Sequence, residues 1–216
     1  MTDRYFVTGT DTDVGKTRVT AALALALKRA GKAPAVIKLI QTGLREGDVG
    51  DAQHAAELAG CEHRELARFF KPADPWSAAL ADGMPAVRAE DLKLIMDRIA
   101  GPVVAEGAGG ISVPLNRKQT FVDVAEMCGL KTVIVIGLRL GCINHALLTA
   151  ALLQEHKVPI AGAVFCERWG PTPVDYREDV ERGLQGKLDV LGIIPFDVQE
   201  RRSIEHGATI FKDLAG

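Results

Sequence analysis

The sequence predicts an α/β fold, a mostly parallel central sheet with helices on both faces, and two observations predict it. Short apolar runs rich in β-branched residues alternate with helix-length stretches along the whole 216-residue chain, the rhythm of strands buried beneath crossover helices. Several helix-length stretches stop at a glycine, at Gly31, Gly60, Gly101 and Gly129, the residue that most easily closes a helix C-terminus. Strands are expected at 5–8, 35–39, 103–106, 132–136, 160–165 and 190–194, where β-branched content favours strand over buried helix. Helices are expected between them at 16–30, 52–59, 90–99, 122–127, 144–156 and 174–184. The stretch 62–87 carries Pro72, Pro75 and Pro85 without a clean period, so it reads as a loop or insertion near a site. No repeat, low-complexity tract or linker divides the chain, and residues 1–216 are expected to form one domain.

Composition narrows the function classes. With 47% hydrophobic and 25% charged residues, the chain has the apolar material for a substantial core and is not a disordered sequence. A net charge of -2 supplies no basic field to neutralise a row of phosphates, which argues against a nucleic-acid partner and for a small molecule. The four cysteines, Cys61, Cys128, Cys142 and Cys166, form no CxxC pair and have no histidine at metal-ligand spacing, so reduced, mostly buried thiols are expected. Asp3 and Arg4 lead directly into an apolar strand, without the pattern of a signal peptide. No apolar run approaches the ~20 residues that span a bilayer, so a cytoplasmic protein without a membrane partner is expected.

The strongest signal is Val7-Thr8-Gly9-Thr10-Asp11-Thr12-Asp13-Val14-Gly15-Lys16-Thr17, at the end of the first strand and opening the first long helix. That context is the one a phosphate loop requires. Backbone N–H groups of the loop and helix N-terminus can surround phosphate oxygens, while Lys16 adds positive charge and the Thr17 hydroxyl can ligate Mg²⁺. Five residues separate Gly9 from Gly15 here, where the common loop has four. The fold class is thereby refined to a single-domain P-loop NTPase fold.

Such a loop needs acidic partners, because Mg²⁺ takes oxygen ligands and commonly one or two carboxylates beside the phosphates. Glu106 ends an apolar run and should emerge at the C-terminal edge of the sheet, where α/β folds place ligands. It is followed by Gly107-Ala108-Gly109-Gly110, which lets backbone approach a ligand closely. Asp51, in Gly-Asp-Val-Gly-Asp, is a second metal candidate or, alternatively, a helix N-cap. Lys38, at the end of the second strand and ahead of Gln41-Thr42-Gly43, either faces the same crevice or is a solvated strand-end lysine.

Taken in order, the first loop, Lys38 with Thr42-Gly43, Glu106-Gly-Ala-Gly-Gly and Leu140-Gly-Cys-Ile-Asn-His-Ala-Leu-Leu-Thr resemble the dethiobiotin synthetase family. The resemblance runs over nearly the whole chain. It implies an ATP-dependent cyclo-ligase that converts 7,8-diaminononanoate, CO2 and MgATP to dethiobiotin, ADP and phosphate, the penultimate step of biotin synthesis. It further implies that Lys16, Lys38 and Thr12 are catalytic, and that Thr17, Asp51 and Glu106 hold Mg²⁺. Nucleotide contacts fall to Gly9, Asp13, Val14, Gly15, Lys16 and Thr17, with Cys166, Pro195 and Phe196 beside the base. The diamine falls to Thr12, Lys38, Thr42 and Gly109, and, across a homodimer boundary, to Gly141, Cys142, Asn144 and Tyr176. His145 reads as structural, and no covalent nucleophile is implied.

The chain departs from the family pattern at four places. Asp13 stands where glutamate is common, Leu39 where proline follows the lysine, Ser77-Ala78-Ala79 where Ser-Pro-His is frequent, and Phe165-Cys166-Glu167 where many members carry an asparagine. Two rival readings share the loop. A partition or cell-division ATPase typically has a second lysine early in the loop, and here no lysine precedes Lys16. The synthetase part of a glutamine amidotransferase would need a cysteine-histidine glutaminase domain, for which 216 residues leave no room.

Overall fold

The computed structural model describes residues 3–216. Seven parallel strands make the main sheet: β1 (Arg4–Gly9), β2 (Ala35–Lys38), β4 (Glu62–Glu65), β6 (Val103–Gly110), β7 (Lys131–Gly137), β8 (Ile160–Cys166) and β9 (Val190–Ile194). Their order is β4-β2-β6-β1-β7-β8-β9. A second, two-stranded sheet pairs β3 (Gln41–Thr42) with β5 (Arg68–Phe69). The helices are α1 (Lys16–Arg29), α2 (Asp51–Ala59), α3 (Pro75–Ala81), α4 (Ala89–Met96), α5 (Phe121–Met127), α6 (Cys142–Glu155), α7 (Val174–Leu184), α8 (Glu200–Gly207) and α9 (Lys212–Ala215).

Alternation along the strands builds two cores. In β1, Phe6 joins the cluster under α4 to α7, while Tyr5 and Val7 join the cluster under α1, α2, α8 and α9. Both faces of the sheet are therefore covered, which is why its strands read as continuous apolar runs. The Tyr5 hydroxyl donates to the Leu214 carbonyl at 2.7 Å, fastening the C-terminus to the first strand.

All six expected strands and all six expected helices are present, with shifted ends. Three features differ from expectation. The stretch 62–87 is not a plain loop: it holds the edge strand β4, β5 and α3, the last capped by Asp74, whose carboxylate accepts from the Ser77 N–H at 2.9 Å. β4 reads Glu-His-Arg-Glu, too polar for an apolar-run search, because an edge strand needs one covered side only. Helices α8 and α9 were not expected. Finally, two of the four cysteines, Cys142 and Cys166, are buried, and Cys61 and Cys128 are half-buried; all four are free thiols.

The strand register positions the site. Lys38 pairs with Glu106, and Glu106 pairs with Val7 on its other side. The last residue of β2, the middle of β6 and the entry to the phosphate loop thus lie side by side, where the connection from β1 runs one way to β2 and the connection from β6 runs the other way to β7, the place where open α/β sheets bind ligands.

Candidate active site

The loop 9–17 is held from behind by packing. Gly15 adopts φ 96°, and a Cβ there would stand 2.3 Å from the Cys166 sulfur, so both backbone conformation and space exclude a side chain. The side chain of Val14 is buried in the core and pins the loop to the sheet. Gly9 is equally crowded: a Cβ would meet the Asp11 carbonyl at 2.6 Å and Val14 at 2.7 Å. Asp13 takes a positive φ of 57° and its carboxylate pairs with Arg168 at 3.3 Å. Asp11 pairs with Arg139, whose guanidinium stacks on Trp169 at 5.5 Å.

In front of the loop opens a cleft of about 640 Å³. Thr12, Asp13, Gly15, Lys16, Thr17, Lys38, Thr42, Asp51, Glu106 and Gly109 all line it. Its centre is a buried charge cluster. Lys38 is 2% exposed and Glu106 1%. The Lys38 ammonium donates to Glu106 Oε1 at 2.7 Å, to Asp51 Oδ2 at 2.6 Å and to the Gly107 carbonyl at 3.1 Å, which uses all three of its protons. Lys38 is therefore not a solvated strand-end residue. Glu106 Oε1 also accepts from the Thr17 hydroxyl at 3.2 Å, and its Oε2 from the Thr20 hydroxyl at 2.8 Å. Lys16, 7% exposed, reaches the Asp11 carbonyl at 3.3 Å.

Asp51 is the first residue of α2, and Gly50 occupies the cap position. The capping alternative is thus corrected: the carboxylate turns to Lys38, and its own N–H is satisfied by the Gln41 side chain at 3.0 Å. Electrostatics follow from these contacts. Burial disfavours charge on Lys38, but the Glu106 and Asp51 carboxylates outweigh it and raise its pKa above the ordinary lysine value. Burial likewise opposes charge on Asp51, and the Lys38 ammonium prevails, lowering its pKa. For Lys16 burial wins over the attraction of Glu106, and its pKa is lowered.

The donor set suits a hard cation. Thr17, Asp51 and Glu106 offer only oxygen, the preference of Mg²⁺, and they converge through Lys38 and the shared Glu106 Oε1. Among the described residues no group of three His, Cys, Asp or Glu side chains forms a self-contained metal cage.

Other expected site residues lie elsewhere. Cys166 is fully buried behind Gly15, and burial pushes its thiol up to about 12, so it supports the loop and carries no thiolate. Gly141 caps α6, Cys142 and Asn144 lie in its first turn, and the Cys142 sulfur stands 3.8 Å from the Tyr176 hydroxyl. These four residues do not line the cleft; Cys166 and Tyr176 border a separate cavity of about 250 Å³. Pro195 and Phe196 follow β9, where the Phe196 N–H donates to Glu167 at 3.0 Å, and the same carboxylate accepts from the Thr172 N–H at 2.8 Å.

The sequence reading missed Arg18, Thr20, His54, Arg168 and Glu200. Glu200, the first residue of α8, bonds Arg18 at 3.1 Å and His54 at 2.8 Å, and all three line the cleft. Only Thr20 left a trace in the sequence, as a polar residue inside the apolar helix run three positions after Thr17.

A cleft built this way places the chain in the P-loop NTPase class, and a family model described as an AAA domain matches residues 3–201. The fold is shared with the MinC:MinD cell division protein complex of Aquifex aeolicus, at TM-score 0.59 and 16% identity over 99% of this chain and 94% of that one. It is shared equally with a ParA family ATPase from Chlorobium tepidum TLS, at TM-score 0.59 and 14% identity over 98% and 92%. Those identities speak for the fold alone. Sequence decides further: the chain belongs to the ATP-dependent dethiobiotin synthetase family. It is 39% identical over 203 residues to that enzyme of Nitrosospira multiformis, covering 89% of this chain and 88% of the relative. It is 40% identical over 175 residues to that of Pseudescherichia vulneris, covering 76% and 72%.

Proposed function

We propose that this chain closes the urea ring of dethiobiotin from 7,8-diaminononanoate, CO2 and ATP, in the cytoplasm, as a homodimer in which residues 1–216 act as one unit. The observation that carries the reading is the shared carboxylate oxygen: Glu106 Oε1 is held at once by the phosphate-loop Thr17 and by Lys38. Nucleotide-binding and lysine chemistry therefore meet at one point.

In this reading one amine of the substrate captures CO2 as a carbamate. A carbamate oxygen attacks the γ-phosphorus of ATP, ADP departs, and a mixed carbamic-phosphoric anhydride results. The second amine then attacks the carbonyl carbon and phosphate leaves. Both reacting partners of the phosphoryl step are anions, so the main task of the protein is positioning and charge neutralisation. Lys38, kept protonated by its two carboxylates, supplies positive charge to the carbamate, and Lys16 does the same for the phosphates. Thr12, Thr42 and Gly109 border the same space. Mg²⁺, held by Thr17, Asp51 and Glu106, would screen the phosphate charge. Gly141, Cys142, Asn144 and Tyr176, outside this cleft, serve the diamine bound at the neighbouring subunit, its carboxylate placed near the N-terminus of α6.

The test is direct. Purified protein incubated with diaminononanoate, bicarbonate and MgATP is expected to yield dethiobiotin, read by mass, together with ADP and phosphate. Nucleotide turnover independent of the diamine, with no product of that mass, would refute the proposal.

A further inference from the structure

We infer that Thr20 is a positioning residue of the metal site: its hydroxyl sets the carboxylate of Glu106 so that Oε1 is the oxygen presented to the cation. The inference rests on the reading above, in which Glu106 holds Mg²⁺.

Thr20 is fully buried in the second turn of α1, among Val19, Ala21, Ala22, Leu23 and Ala24, all within the core. A hydroxyl in such surroundings costs free energy unless it is bonded. Its local option in a helix is the carbonyl four residues back, yet its one proton goes to Glu106 Oε2 at 2.8 Å. Among the described residues that is the only hydrogen bond to Oε2, whereas Oε1 accepts from both Thr17 and Lys38.

The helix period explains the arrangement. Positions 16, 17 and 20 fall on one stripe of a helix, since residues three and four apart are neighbours on its surface. One stripe of α1 therefore carries the phosphate lysine, the metal hydroxyl and the group that orients the metal carboxylate. A hydrogen bond to one oxygen restrains rotation of the carboxylate about its terminal bond, so the other oxygen keeps its direction toward Thr17 and Lys38. Partners of this kind fix ligand orientation, and their loss commonly weakens metal affinity by about 10–100-fold.

The experiment measures Mn²⁺ bound by the full-length protein with a non-hydrolysable ATP analogue, from the paramagnetic resonance signal of the free ion. Thr20→Val, which keeps the shape and removes the donor, is expected to weaken Mn²⁺ at least about tenfold, and Thr20→Ser to stay within about twofold of the wild type. Thr20→Ala serves the same purpose if valine disturbs the helix. Raising Mg²⁺ should restore turnover in the donor-less variants, which a packing defect would not allow. Glu106→Gln separates the two levels of inference. If it weakens Mn²⁺ while Thr20→Val and Thr20→Ala bind as the wild type, Thr20 only fills space and the inference falls. If Glu106→Gln also binds normally, the metal reading of Glu106 fails first.

Discussion

Lys38 is the residue on which the proposed chemistry turns, and its surroundings set what its loss should do. Its ammonium is the cation beside Glu106, a carboxylate that is 1% exposed. Removing one partner of a buried pair leaves the other charge uncompensated, at a typical cost of about 3–5 kcal/mol. Lys38→Ala is therefore expected to abolish dethiobiotin formation, to keep ATP binding nearly intact, and to lower unfolding free energy by about 3 kcal/mol. Product mass, fluorescence titration with a labelled nucleotide and urea unfolding read the three effects; unchanged turnover would remove Lys38 from the mechanism. Gly15 makes a sharper steric case. A Cβ placed 2.3 Å from the Cys166 sulfur, on a backbone at φ 96°, cannot be accommodated without moving the loop. Gly15→Ala should weaken ATP binding by about two orders of magnitude or more, since over about 2.7 kcal/mol of strain and overlap falls on the bound geometry. Calorimetric titration that finds wild-type affinity would show that the loop tolerates displacement.

At the scale of elements, the fastening of α8 deserves a test because nothing in the sequence announced that helix. Glu200 ties its first turn to Arg18 of α1 and His54 of α2. Burial opposes the charge of Glu200, and His54 and Arg18 together outweigh it, so its pKa is lowered. A lowered carboxyl pKa contributes stability that is fully present above the unfolded value, about 4.3 for glutamate, and is lost as pH falls through the lower folded value. Glu200→Gln should thus cost about 1 kcal/mol near neutral pH, and the two proteins should converge in acid below the folded value. Thermal unfolding followed across pH provides the check; a difference that persists in acid would mean that the contact is not ionic.

At the scale of the molecule, the surface beyond β7 and β8 is what the cleft does not explain. Leu140 is 93% exposed and Leu148 63%, and Val174 and Trp169 are exposed as well. They sit close in sequence to the α6 and α7 residues assigned to the diamine of a neighbouring subunit. A proposed dimer would cover them. Leu148→Asp should shift the protein to a monomer in sedimentation and reduce product formation, while ATP affinity stays unchanged, because the phosphate loop lies wholly within one chain. A monomeric variant with full turnover would overturn the shared-site reading. Among the described residues no helix is long and apolar enough to cross a membrane.

The sequence by itself determined the six expected strands, the alternating helices, the phosphate loop and the polar residues that end at one sheet edge. These are legible because burial imposes periodicity and because a loop that wraps phosphate restricts residue types locally. Only the tertiary structure decided whether Asp51 caps a helix or meets Lys38, since both roles use the same side chain at the same position. It also decided the places of β4, α8 and the trio of Arg18, His54 and Glu200. Residues 18 and 200 are brought together by packing between elements far apart in the chain, and neither local composition nor spacing carries that distance. Glu106 shows both sides: its place at the end of an apolar run could be read, but the strand continues past it to Gly110, and its pairing with Lys38 depends on parallel register between β2 and β6.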